Sequence, residues 1–358
     1  MDALLRRVGE RARELVIHRA MPLGDAVAKT IDEVAQFQEV RNEDDLQKSS
    51  LANLGGFGAL EPFLLDPGVE ELWMNEPNRL FVSKNGVVDC HQIDLGSEDQ
   101  QVIIERMLRD VGRRMDRSAP FVDASLRDGS RLHAVMPDVT RRHLSFNVRR
   151  YVASEATLES LEKAGSLTIR QREVLQSALD SDQTIFVSGA TAAGKTTLLC
   201  AMLRGLPSGQ RVVSVEDTFE IAIENLDWVA MQTRPDSVEG AGEIDLRRLI
   251  REALRMRPGR LVVGEVRGAE AVELLVALNS GIPALGTVHA NSAEHAITKL
   301  MTLPLLSGVK VPIDFIKLVI GSSVALIAHC AVDNQGFRKV QELVRVSFHK
   351  GELVFQDA

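Results

Sequence analysis

Residues 189–196 read Gly189-Ala190-Thr191-Ala192-Ala193-Gly194-Lys195-Thr196 and fit the pattern G-x-x-x-x-G-K-[ST]. They follow the apolar stretch QTIFVS and open TTLLCAML, so the spacing predicts a strand, a tight loop and a helix in that order. The chemistry of such a loop is phosphate binding. Backbone N–H groups of residues 190 to 196 point inward at a β-phosphate, and the helix N-terminus adds partial positive charge. Lys195 neutralises β and γ oxygens, and Thr196 offers its hydroxyl to Mg²⁺. Gly189, Ala190, Thr191, Ala192, Ala193, Gly194, Lys195, Thr196 and Thr197 are therefore the expected nucleotide-binding residues, with ATP and Mg²⁺ as the expected ligands.

Hydrolysis also needs carboxylates at the ends of neighbouring strands, one to organise Mg²⁺ and one to orient the attacking water. The stretch RLVVGEV ends at Glu265, and Gly264 stands where many enzymes with this loop carry an Mg²⁺-directed Asp. The metal is then expected on Thr196, the phosphates and water-mediated carboxylates, with Glu265 as the organising acid. RVVSVED ends with Glu216 and Asp217, and Glu220 follows, a cluster that can supply the water-positioning group. A third stretch, ALGTVHAN, places His289 where it can sense a γ-phosphate. The other seven histidines, His18, His143 and His349 among them, read as packed or surface residues.

From about Thr168 onward, short and almost wholly apolar strands alternate with helices, which predicts a parallel sheet buried on both faces. VALIAHCAV and FRKVQELVRVS, split by Asp333 to Gly336, read instead as a hairpin that extends the sheet. The preceding hundred residues have α+β character. EELWMN, RLFVS and VVDCHQI form strands, the last two joined across Asn85-Gly86. Ser97 and Gln100 suggest a capping box opening a helix from about 98 to 116, with Val102, Ile103, Leu108, Val111 and Met115 on one face. Residues 121 to 150 return to strand alternation, with turns at Asp128-Gly129 and Pro137-Asp138. The first fifty residues read as helix, with Leu4, Leu5, Val8, Ala12 and Leu15 on one stripe and Ile31, Val34 and Phe37 on a second. Three segments are expected: 1–50, a helical extension; 51–150, an α+β domain; and 151–358, the nucleotide-binding domain.

Composition narrows the function classes. A chain of 358 residues, at about 150 per domain, holds two or three domains. The net charge of −8 divides evenly about residue 150, and aromatic residues make up 4%. Neither a basic stripe nor stacking platforms are present, which argues against nucleic acid as a partner. Cys90, Cys200 and Cys330 lie far apart, with no zinc or disulfide spacing. The charge-free run Leu318 to Ala328 is too short to span a bilayer. The N-terminus lacks a continuous apolar core of the kind a secretory signal needs, so a cytosolic location is expected.

VDASLRDGSRLHAV, GATAAGKTT, VEDTFE, RMRPGRLVVGEVRGAEA and GTVHANS, in this order and separation, resemble the motifs of the secretion ATPases of type II and type IV systems, especially the CpaF-like ATPases of tight-adherence (Flp) pilus machines. The resemblance covers about residues 54 to 347. It implies an α/β fold in which an N-terminal α+β domain is followed by a RecA-like P-loop ATPase domain with a mainly parallel sheet. It also implies an ATPase motor that powers pilus assembly or protein secretion, working as a homo-hexamer on inner-membrane platform proteins at the cytoplasmic face of the membrane. Residue by residue, GATAAGKTT would be Walker A, Glu265 the Walker B glutamate, Glu216 the acid often considered as the base, and His289 the His-box residue. Arginines of the N-terminal domain close over the nucleotide in this family, and Arg131 in DGSR and Arg149 with Arg150 are the matching positions. Arg141 and Arg142 read as solvated, and Arg247, Arg248, Arg251 and Arg255 as a charged exposed face. Gly281-Ile282-Pro283-Ala284 departs from the Gly-His-Asp-Gly frequent in the family, so no second histidine stands there. A DNA-translocating or conjugation-related ATPase with the same core is the alternative, and a nucleotide-binding regulator without turnover is a third reading.

Overall fold

The computed structural model describes residues 4, 7–9, 11–12, 14–15, 21–35, 43, 46–47, 50, 56–84, 86–150, 155–207, 209–234, 242–349 and 351–358. The chain divides into two compact units, Met1–Val152 and Ala153–Ala358.

In the first unit, helix α1 (Leu23–Ala35) packs Ala26, Val27, Ile31 and Val34 against Val8, Ala12, Leu15 and Leu46. Leu5 and Phe37, expected on the same stripes, lie outside the described residues. A short helix α2 (Glu61–Leu65) leads into strands β1 (Val69–Glu76), β2 (Arg79–Lys84) and β3 (Val87–Gln92). Helix α3 (Ser97–Asp110) follows, then β4 (Phe121–Ser125), β5 (Arg131–Val135) and β6 (Ser145–Arg149). The six strands form an antiparallel sheet in the order β3-β2-β1-β6-β5-β4. Strand alternation places Leu72, Met74, Leu80, Val82, Leu132, Ala134, Phe146 and Val148 on one face, where they share a core with Ile103, Ile104, Met107 and Leu108 of α3.

Helix α3 differs from the sequence expectation at both ends. Gly96 holds the cap position without a side-chain bond, so the capping box at Ser97 does not form. Gln100 instead turns inward and its amide donates to the Leu144 carbonyl at 3.3 Å. At the other end Gly112 adopts φ +68°, and the amides of Gly112 and Arg113 return to Arg109 and Leu108, which stops the helix at Asp110 rather than 116. The true apolar face is set by Ile103, Ile104, Met107 and Leu108, and Val102 is 50% exposed.

The second unit begins with α4 (Leu158–Lys163) and α5 (Ile169–Asp180), each closed by a capping box, at Thr157 with Ser160 and at Thr168 with Gln171. Strand and helix then alternate through β7 (Thr184–Gly189), α6 (Lys195–Arg204), β8 (Val212–Glu216), β9 (Trp228–Gln232), α7 (Leu246–Ala253), β10 (Arg260–Val263), α8 (Ala271–Asn279), β11 (Ala284–His289), α9 (Ala293–Thr302) and α10 (Ile313–Ser323). The unit ends in β12 (Val324–Val332), β13 (Arg338–His349) and β14 (Glu352–Asp357). The sheet order is β14-β13-β12-β7-β11-β10-β8-β9. Pairing is parallel from β12 to β9 and antiparallel for β13 and β14, so the sheet is mainly parallel, with a C-terminal hairpin on its edge. β7, β8 and β10 are buried along their whole length because helices cover both faces. One face packs Phe186, Val263, Val288 and Ile327 with residues of α7 to α10; the other packs Ile185, Val187, Leu326 and Ala328 with α5 and α6. This order sets the carboxyl ends of β8, β10, β11 and β7 side by side, the edge where open α/β sheets bind ligands. Among the described residues no helix is long and apolar enough to cross a membrane.

Candidate phosphate-binding site

The loop after β7 is shaped by backbone requirements. Gly189 has φ +152°, and a Cβ there would collide with the Cys330 carbonyl and lie 3.2 Å from Ala193 Cβ. Gly194, at φ +93°, holds the cap position of α6, and no side chain caps the helix among the described residues. The loop thus meets the N-terminus of α6, where the helix dipole favours an anion. Ala192 also adopts the left-handed region, at φ +61°. Lys195 Nζ donates to the Ala190 carbonyl at 2.8 Å, which holds the ammonium over the loop. From β13, Arg338 Nε donates to the Ala192 carbonyl at 2.9 Å. That second cation went unread in the sequence: Arg338 follows an ordinary hairpin turn, and only the sheet order brings it to the loop.

Three more strand ends border the loop. Glu216 closes β8 and is 1% exposed. Its Oε2 accepts the amides of Glu220 at 2.7 Å and Ile221 at 2.9 Å, whereas Oε1 has no hydrogen-bond partner among the described residues. Burial outweighs those two amides and pushes its pKa up to about 7. A Cβ on residue 264 would lie 3.0 Å from Glu216 Cγ and 3.5 Å from its Cβ, so Gly264 is what lets the buried carboxylate fit. An Asp at that position would occupy the same space. Glu220 in turn accepts the Thr196 hydroxyl at 3.1 Å, which joins the loop after β8 to the first turn of α6.

Strand β10 stops at Val263, two residues before the Glu265 expected at its end; the Gly264 amide makes one more bond to the Val215 carbonyl of β8. Glu265 is nevertheless held on both sides. Thr287 Oγ1 donates to the Gly264 carbonyl at 2.6 Å, and the Val266 amide donates to the Thr287 carbonyl at 2.8 Å. Beyond it, Arg267 pairs with Asp217, linking the loops that follow β10 and β8. His289 ends β11 in register with Gly189, exposed between buried Val288 and Ala290. The loop residues, Glu216, Glu265 and His289 therefore share one edge of one sheet.

Arg131 and Arg149 belong to the other unit, where they are direct cross-strand partners on β5 and β6. Arg131 Nη2 lies 3.6 Å from Asp123 Oδ1, which His133 Nδ1 also approaches at 3.1 Å, and Arg149 stands opposite Glu71. Arg150 bonds to the Asp66 carbonyl. Arg247 departs from the exposed face expected of the α7 arginines, with a side chain 25% exposed, whereas Arg251 stays on that face at 56%; both reach Glu273, whose side chain is 8% exposed, because α7 packs beside α8.

Against known proteins, the sequence matches the family described as type II/IV secretion system protein over residues 53–345. It is 35% identical over 308 residues to a candidate conjugal transfer protein of Mycobacterium tuberculosis, a match covering 84% of this chain and 87% of the relative. It is 26% identical over 299 residues to the type IV secretion system protein VirB11 of Brucella suis, covering 75% and 83%. The crystal structure of the pilus retraction motor PilT with bound ADP shares the fold at 18% identity, with a TM-score of 0.57 over 84% of this chain and 82% of that one.

Proposed function

The chain belongs to the type II/IV secretion system protein family, and we propose that it is an ATP-hydrolysing motor of the CpaF-like kind, powering pilus assembly or protein secretion from the cytoplasmic face of a membrane. The observation that carries the reading is a buried carboxylate oxygen on Glu216 with no partner among the described residues, on the same sheet edge as a phosphate loop that opens a helix. A carboxyl with its pKa raised to about 7 suits a general base at neutral pH. In this assignment the loop amides and Lys195 bind the β- and γ-phosphates, and Glu216 accepts the proton of the attacking water. Glu265, fixed between Gly264 and Val266, would orient that water or, through water, help hold Mg²⁺, and His289 reads the γ-phosphate from the adjacent strand.

The oxygen donors present fit Mg²⁺, a hard cation that favours hydroxyl, carboxylate and phosphate oxygens. Thr196 would hold it, with Glu220 and Glu265 acting through water. When bound, Mg²⁺ neutralises charge on the β- and γ-oxygens. Arg131 and Arg149 are the proposed cations that complete the γ-phosphate surroundings when the units close within a hexamer, so turnover depends on motion. The alternative of a conjugation-related ATPase is favoured by the name of the mycobacterial relative and opposed by the even acidic charge and scarce aromatic residues of this chain.

The test is phosphate release together with solution mass, with and without MgATP, for the wild type, Glu216→Gln and Arg131→Ala. A six-fold assembly is expected, with turnover lost in both variants and MgATP binding kept in Glu216→Gln. Unchanged turnover in Glu216→Gln moves the base to Glu265. A monomer indifferent to Arg131 removes the ring motor. Stimulation by single-stranded DNA, and not by membranes, selects the conjugation reading.

A further inference from the structure

The assignments above leave a buried histidine unused. His329 of β12 is 5% exposed, and its Nδ1 lies 2.9 Å from the Oγ of Ser188, which is wholly buried. Ser188 immediately precedes Gly189, the first residue of the phosphate loop. His329 is in register with Ser188 on one side and with Glu342 of β13 on the other. Glu342 Oε2 then accepts the amide of Ala293 at 2.9 Å, at the start of α9 and four residues beyond His289. Ser188, His329 and Glu342 thus make one polar row across three strands, on the face otherwise lined by Phe186, Ile327 and Val344. Burial lowers the pKa of the imidazole despite the opposing charge of Glu342, so the ring is neutral near pH 7.

Stability accounts for Glu342, whose carboxylate holds an amide in the first turn of α9, but not for the buried Ser188–His329 pair. Apolar residues of like volume would serve as well or better, because each polar group must first lose its water. What the row adds is a side-chain link, beside the direct pairing of β7 with β11, between the entry to the phosphate loop and the start of α9 just beyond His289.

We propose that His329 is a positioning residue that couples the phosphate loop to the His289 segment through Ser188 on one side and Glu342 and the Ala293 amide on the other. The inference rests on the ATPase reading and adds a route by which phosphate occupancy sets the place of His289. A nucleotide that shifts the loop moves the Ser188 hydroxyl, and the row passes that displacement to residues 289–293.

The test uses the full chain carrying Ser188→Ala, His329→Leu, His329→Asn or Ser188→Ala with His329→Leu. It reads backbone hydrogen exchange at residues 289–294 with and without ATP, alongside ATP Kd and turnover. In the wild type, ATP slows exchange there by about ten-fold, and Ser188→Ala and His329→Leu abolish the slowing. His329→Asn, whose amide can occupy the Nδ1 position, preserves it. Turnover falls about ten-fold in each of the two disrupting variants with Kd within about two-fold, and the double variant falls no further because the pair acts as one unit. Slowing that persists in both disrupting variants overturns the proposal, as do multiplicative losses in the double variant or equal loss in His329→Asn. A wild type that binds no ATP defeats the motor reading and this inference with it; a wild type that binds ATP without slowing at 289–294 defeats this inference alone.

Discussion

At the amino ends of its parallel strands, the C-terminal sheet buries Arg260 completely and satisfies all three guanidinium nitrogens. Nε reaches Gln210, Nη1 the Gln183 carbonyl, and Nη2 the Leu179 carbonyl and Asp182, the last at 2.9 Å. At the carboxyl ends of the same sheet Glu216 is almost equally buried, yet one of its oxygens has no partner among the described residues. Both ends place an ionisable group in low dielectric, where an unmatched polar atom costs far more than a matched one. The Arg260 guanidinium is a fastening between the starts of β7, β8 and β10, although Gln183 Oε1 beside it has no partner among the described residues either. The open end has the form of a site that a ligand, water or proton completes, and the helix dipole of α6 favours an anion at the same edge.

The comparison breaks most easily at the Arg260 end. Arg260→Met leaves the Gln183 carbonyl without its donor and takes one of two donors from the Leu179 carbonyl, which keeps the Asp182 amide, and is expected to lower the stability of the C-terminal unit by about 3 kcal/mol. ATP affinity should stay within about two-fold, because nothing at the phosphate loop changes. Urea unfolding followed by nucleotide titration reads both. A variant of unaltered stability would mean that the guanidinium is not a fastening.

Glu216 gives the opposite signature. Its folded pKa of about 7 exceeds the ordinary 4.5, so between these values the folded chain holds a proton that the unfolded chain has released. Stability therefore falls as pH rises from 4.5 through 7, by about 3 kcal/mol from this group. Glu216→Gln removes that part of the slope, which denaturant unfolding at a series of pH values measures. An identical slope in the variant would show that the carboxyl is not held protonated.

Much of this edge was legible in the sequence, and the reasons are physical. The phosphate loop, Glu216 and His289 each end an apolar run, so chain order and strand period together place them on one edge. Helix ends are less legible: Gln100 has the spacing of a cap yet is a buried donor to Leu144, and Gly112 ends α3 before its apolar pattern does. The row from Ser188 to Glu342 and the contact of Arg338 with Ala192 depend on β12 lying beside β7, a pairing across about 140 residues that no local pattern encodes. Gly264 was visible as a departure from a common motif, but its cause, the Glu216 side chain lying against it, required the sheet.

Gly264→Ala sharpens the account of the open end. The added methyl meets Glu216 Cγ at 3.0 Å, so the carboxylate must shift by a few tenths of an ångström or leave its two amides. A stability loss of about 1–2 kcal/mol is expected, with turnover falling about ten-fold and ATP affinity nearly kept, as steady-state kinetics and titration would show. Full turnover would detach Glu216 from the reacting centre.

The smallest effect concerns the loop backbone. Ala192 sits at φ +61°, where an L-residue other than glycine costs about 1 kcal/mol, and its carbonyl is fixed by Arg338. Ala192→Gly relieves that cost but adds freedom to the unfolded chain worth about 0.4–1 kcal/mol, so the net gain should stay below about 1 kcal/mol. Ala192→Val, with a branched Cβ in the same conformation, should lose more than glycine gains. Thermal unfolding of the two variants measures this asymmetry. It separates a loop held in a disfavoured shape by its neighbours from one that rests there without strain: in the second case glycine would only add freedom to the unfolded chain and be the worse of the two.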